Sequence, residues 1–299
     1  MQFPAALRRS AAASAAAAAL ILPGASAPAF AAQDPVQYVN LGDSYSSGWG
    51  SLAPTAAVNP AFGSPACLRG GPADVALFDQ LQSVALTGDY ACAGATVGTT
   101  TSGIPTIAQQ AAKASLDGVL NSTTGLVTLT AGGNDVNFGQ IIAACAADTS
   151  AEATGCQAAA AYGIDLANNV AVAGTVQTIR GYAANAKIVW LGYPRLFATA
   201  GESTTVIAGG GVMSAAAAAV FDQGTDQLNA VLADKARGAG AQFVDVAPKF
   251  DGHEIGSSGS WFNLGPYTQF NFHPTADGYS DGYYPAMVSA IKPSQLVKG

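Results

Sequence analysis

Histidine is nearly missing from this chain: His253 and His273 are the only two in 299 residues. Any chemistry that needs an imidazole base therefore has two places to reside. Charge is also sparse, at 10% of residues, and basic residues are outnumbered 12 to 19, for a net charge of −7. With no basic run, nucleic acid is excluded as a partner. Nothing points to strong steering of anionic substrates either. There is no C-x-x-C pair, and the histidines are not spaced as ligands, so no metal site is expected. No Pro/Gly/Ser linker divides the chain and no internal repeat is found. Beyond the N-terminus no apolar run reaches the roughly 20 residues that span a bilayer, so stable membrane insertion is not expected.

What is present begins with the N-terminus. Arg8 and Arg9 precede the run "AAASAAAAALIL", then Pro23-Gly24 and "ASAPAFAA". A basic start, a short apolar core and an A-x-A site describe a secretory signal peptide over residues 1–31. Cleavage after Ala31 leaves 268 residues, one domain over 32–299, and takes the net charge to −9. The four cysteines, Cys67, Cys92, Cys145 and Cys156, all lie in that part. An even count in an exported chain favours disulfides. Three connectivities are open, and Cys67–Cys92 with Cys145–Cys156 keeps both loops local.

Four apolar, β-branched runs read as buried strands: 36–41, 125–131, 186–192 and 241–247. Helical spacing of apolar residues covers 157–182 and 212–237, and 72–83 reads as a shorter helix. Alternation of strand and helix predicts an α/β fold, a parallel sheet with helices on both faces. Ligands of such sheets bind outside the carboxyl ends of the strands. There the first strand runs into "GDSYSSG" and the second into "GGNDVNFG". "AGGG" at 208–211 lacks a phosphate-loop frame and reads as a surface loop.

Four residues at such positions carry chemistry. Ser44 follows Gly42-Asp43. It has the place of a nucleophile, and equally that of a helix N-cap. His273 precedes Pro274, which stiffens the turn around a candidate base; His253 is the other candidate, and either is also an ordinary structural hydrogen bonder. Asn134 offers an amide N–H and Gly94 a backbone N–H, the kind of donors that hold a developing oxyanion. Each alone is also simple turn chemistry.

Together and in order, "GDSYSSG", "CAGATVG", "GGNDVNFG" and "FNFHPTADGY" resemble the four blocks of the SGNH/GDSL hydrolase superfamily, closest to its secreted bacterial esterases and lipases. The resemblance runs from Val36 to about Ala290. It implies a flavodoxin-like three-layer α/β/α sandwich. It also implies Ser44 as nucleophile, an oxyanion hole from Ser44, Gly94 and Asn134, and His273 as base. Secreted members often carry a third disulfide; this chain has Gly256 and no further cysteine, so two are expected.

One departure stands out. Most of the family places Asp three residues before the base, where this chain has Phe270. The expectation is a Ser44–His273 dyad whose imidazole Nδ1–H is held by the Phe270 carbonyl, with Asp277 or Asp281 as alternatives. An activity rising through a pKa near 6.5 is expected of the base. The partner implied is a small-molecule or lipid ester, acted on by a monomer, and the mechanism implies no metal or organic cofactor. A polysaccharide O-acetyl esterase and an inactive exported binding protein are the competing readings. The aromatics of 261–284 (Trp261, Phe262, Tyr267, Phe270, Phe272, Tyr279, Tyr283 and Tyr284) are either core under the His loop or walls of an acyl groove.

Overall fold

In the computed structural model, which describes residues 34–51, 67, 73–98, 103–199, 205–207, 211–265 and 270–296, the apolar runs form strands in sequence order. They are β1 (Val36–Asn40), β2 (Val84–Asp89), β3 (Thr124–Thr130) and β4 (Lys187–Leu191). A two-stranded antiparallel pair follows, β5 (Thr205–Ile207) with β6 (Gly211–Met213), and then β7 (Gln242–Val244). Strands β2-β1-β3-β4-β7 make one parallel sheet in that order. Leu126 to Thr130 are all buried although successive side chains point to opposite faces, so both faces of β3 are covered. This is the expected three-layer α/β fold. The expected signal segment, 1–31, lies outside the described residues.

The helices are α1 (Asp74–Asp79), α2 (Ile107–Leu116), α3 (Phe138–Ala147), α4 (Thr154–Ala167), α5 (Val172–Tyr182), α6 (Ala215–Gly238) and α7 (Tyr284–Ile291). Helix α1 packs on α7, while α2 packs on α5, and α4 and α5 pack on α6. The start of α2 is a capping box: Gln109 N–H donates to Thr106 Oγ1 and Thr106 N–H to Gln109 Oε1.

Three expectations need correction. The helix over 157–182 is two, α4 and α5. The Asn169 amide donates to the Asp165 carbonyl at 2.9 Å and ends α4, and Lys235 Nζ takes up the Asn168 and Val170 carbonyls at the break. The last strand is shorter than 241–247, because Asp245 Oδ1 accepts from Ala247 N–H and turns the chain. Of the expected surface loop at 208–211, Gly211 instead opens β6, while 208–210 lie outside the described residues. Strand β2, α2 and α3 were not foreseen.

The cysteines pair locally, Cys67 with Cys92 and Cys145 with Cys156. Closing loops of this size is worth about 3 kcal/mol each in the chain-entropy account. Among the described residues no helix is long and apolar enough to cross a membrane.

Candidate active site

Strand order reverses between β1 and β3, which opens a crevice at their carboxyl ends. Ser44 lies beyond β1 and Asn134 beyond β3. The turn before Ser44 is built around Gly42. Its φ is +128°, and a Cβ there would meet the Thr130 carbonyl at 2.7 Å, so only glycine fits. The Gln110 amide clamps it, accepting from Gly42 N–H at 2.8 Å and donating to its carbonyl at 2.9 Å.

Local capping falls to Asp43, whose Oδ1 accepts from Tyr45 N–H at 3.0 Å. Ser44 starts no helix, and its hydroxyl has no hydrogen-bond partner among the described residues. Asp43 is buried, and burial pushes its carboxyl up to about 6 although Thr130, Tyr193 and Tyr45 all donate to it. The Tyr193 hydroxyl donates to Asp43 Oδ2 at 2.5 Å and accepts from Gly133 N–H at 3.0 Å. It thereby ties the exit of β1 to the turn that carries Asn134.

Asn134 and Asp135 hold the third element of the site. Asn134 Nδ2 donates to the Ala95 carbonyl at 2.8 Å, which uses one of its two hydrogens. The Asp135 carboxylate accepts from the N–H groups of Val97 and Gly98. Gly94 sits in that clamped loop with φ +82°. Its backbone N–H, like that of Ser44, is bonded to nothing among the described residues. Asp135 was missed in the sequence; the signal was its place beside Asn134 in the same polar turn.

The His273 ring is half-buried against Tyr45, with ring centroids 5.3 Å apart. Its Nδ1 faces the Asn271 carbonyl at 2.9 Å, and the Phe270 carbonyl expected in that role acts on the ring as well, more weakly. Phe272 takes a left-handed φ of +65° and folds the chain so that the Asn271 carbonyl comes back on the ring. The Phe270 carbonyl accepts the backbone N–H of His273 at 3.1 Å and favours the protonated ring to a lesser degree. Asn271 is itself fixed by paired bonds to Gly265, and Asn263 donates to the carbonyls of Gly50, His273 and Pro274. Asp277 and Asp281 are exposed and make no bond to the ring. Burial pushes the imidazole below its ordinary pKa, to about 4, with the two carbonyls opposing. His253 stacks on Trp261 and bonds the Gly259 carbonyl, a structural role.

Ser44, Gly94, Asn134 and His273 line one cavity of about 350 Å³. Its apolar walls come from Trp49, Phe138, Leu196 and Leu228. None of the described aromatics of 261–284 is among its lining residues. Phe270 packs on Trp49, Phe272 on Phe197 and Trp261 on Phe250, so they are core under the His loop; Tyr267 lies outside the described residues. Of the wall residues, Phe138 lies in the "GGNDVNFG" block and Leu228 in the helical pattern of 212–237, and neither was read as lining the site. Among the described residues no group of His, Cys, Asp and Glu is placed to hold a metal.

Known proteins resemble this chain over most of its length. The GDSL-like lipase/acylhydrolase family matches residues 41–280. Lipase 1 of Streptomyces coelicolor is 33% identical over 273 residues, covering 89% of this chain and 91% of that one. The crystal structure of the extracellular lipase of Streptomyces rimosus superposes with a TM-score of 0.67 at 30% identity, covering 85% of this chain and 99% of that one. Phospholipase A1 of Streptomyces albidoflavus gives 0.67 and 30%, covering 87% and 100%. The chain is a carboxylic ester hydrolase and belongs to the GDSL-like lipase/acylhydrolase family.

Proposed function

We propose that the protein is a secreted serine esterase/lipase that cleaves lipid or acyl esters through a Ser44–His273 dyad. The observation that carries this reading is that Ser44, Gly94, Asn134 and His273 line a single cavity. Nδ1 of His273 carries the proton shared with the Asn271 carbonyl, so Nε2 keeps a lone pair and acts as base. It takes the Ser44 proton as Oγ attacks the ester carbonyl carbon. The unengaged N–H groups of Ser44 and Gly94 and the second hydrogen of Asn134 hold the oxyanion. The C–O bond breaks, the alcohol leaves with the proton from Nε2, and the acyl group stays on Ser44. Water then attacks in the same way and frees the acid.

Carbonyl dipoles stabilise the imidazolium less than a carboxylate would, because they carry no net charge. Export is supported by the two disulfides and by the signal-like N-terminus. An acetylated glycan would suit polar walls, whereas Trp49, Phe138, Leu196 and Leu228 favour an acyl chain. A fluorophosphonate should label the wild-type chain and not Ser44→Ala, and Ser44→Ala should lose at least 10³-fold in p-nitrophenyl butyrate hydrolysis, by about the magnitude removal of such machinery costs. Undiminished labelling or turnover in Ser44→Ala would refute the assignment.

A further inference from the structure

The active-site cavity has a second cavity at its back. Phe138, Thr225 and Leu228 line both, so they form a shared partition. The second cavity measures about 30 Å³ and lies between α3, α4 and α6, against Ile141, Ile164 and Phe221. Its one polar side chain is Thr225, whose hydroxyl is already bonded to the Phe221 carbonyl at 3.3 Å. A water there would lack the two to four polar partners it needs, so the space suits hydrocarbon.

Two glycines inside helices border this space, Gly163 in α4 and Gly224 in α6. Glycine in a helix interior costs stability relative to alanine. At Gly224 no steric conflict demands it: a Cβ would sit 3.5 Å from Ala160 Cβ, an ordinary contact. What the missing side chain leaves is room between the helices.

We infer that the acyl tail of a medium- or long-chain ester runs from Ser44 along the apolar wall, turns aside the Phe138–Leu228 partition and ends between α3, α4 and α6. Gly224 and Leu228 are then the residues that set chain-length preference. The inference rests on the proposed esterase reading and narrows its substrate to esters with tails long enough to reach the second cavity. Burying each methylene there is worth about fourfold in binding.

The test compares kcat/KM on p-nitrophenyl laurate with that on p-nitrophenyl butyrate. Gly224→Val should lower the laurate-to-butyrate ratio about tenfold, and Leu228→Ala should raise it. Should the valine variant fold poorly, Gly224→Ala adds a single methyl and should lower the ratio about threefold. A ratio unchanged within twofold in the Gly224 variant overturns the inference, as does a wild-type protein that cleaves butyrate and leaves laurate untouched; both outcomes leave the esterase reading standing. No hydrolysis of either ester together with no labelling of Ser44 would bring down the esterase reading itself.

Discussion

The Tyr45 hydroxyl donates to the Phe272 carbonyl at 2.6 Å, across 227 residues of sequence. Tyr45 follows Ser44 and Phe272 precedes His273, so one bond links the neighbour of the proposed nucleophile to the neighbour of the proposed base. Its ring also packs on the imidazole. The same carbonyl belongs to the left-handed residue that sets the His273 turn. Tyr45→Phe keeps the ring and leaves that carbonyl unsatisfied, at a cost of about 1–3 kcal/mol. The expected result is a kcat about tenfold lower with KM nearly unchanged, since the substrate walls are intact. A change confined to KM would show that Tyr45 contacts substrate and does not position the base.

Burial sets the proposed base, His273, below the value that the sequence alone suggests. His273 must be neutral to accept a proton, and burial lowers its pKa from 6.5 to about 4. Activity is therefore lost only as pH falls through that lowered value. The acid limb of kcat/KM should have its midpoint well below 6.5, toward about 4, and the rate should be nearly flat from pH 6 to 8. A midpoint at or above 6.5 would mean that the ring is solvated or paired with an anion in the working enzyme.

Phe270 occupies the position where the family resemblance implies the acid of a triad, yet putting Asp there should not complete one. The Phe270 side chain is buried and packs on Trp49, with ring centroids 4.9 Å apart. Phe270→Asp removes that packing, a loss of about 3–5 kcal/mol for Phe to a small residue, and adds a carboxylate to an apolar site. A marked drop in thermal midpoint with lower activity is expected. A gain in kcat at unchanged midpoint would show that an aspartate can reach the ring.

The degree to which the fold could be read in advance follows from burial. Strands β1, β3 and β4 are apolar, β-branched and largely covered, so their runs stand out. Strand β2 lies at the sheet edge, its residues mostly half-exposed and interrupted by Gly88, so no run announced it. Ser44, Gly94, Asn134 and His273 sit in short polar turns that carry recognisable patterns. Tyr45, Tyr193 and Asn263 do their work through single long-range bonds that no local pattern encodes. The cavity wall was hidden for a different reason: Leu228 looks like part of any apolar stripe facing a core, and Phe138 sits among the polar residues of "GGNDVNFG". The Asn271 carbonyl joins the expected Phe270 carbonyl at the ring because one non-glycine residue, Phe272, adopts positive φ, which propensity argues against.

A buried carboxyl at the start of α1 gives the fold a pH dependence that can be separated from catalysis. Asp74 is 1% exposed, and its Oδ1 has no hydrogen-bond partner among the described residues. Burial, with the Asp89 carboxylate adding to it, raises its pKa from 3.8 to about 8. Between those values the folded chain holds a proton that the unfolded chain releases, so stability falls as pH rises from about 4 to about 8. Asp74→Asn removes this titration while keeping the shape. The two proteins should melt at similar temperatures at pH 4, and the variant should melt higher at pH 9. Other titrating groups are common to both, so the difference between the two curves isolates Asp74. Parallel midpoints across the range would mean that the carboxylate is ionised and solvated in the folded protein.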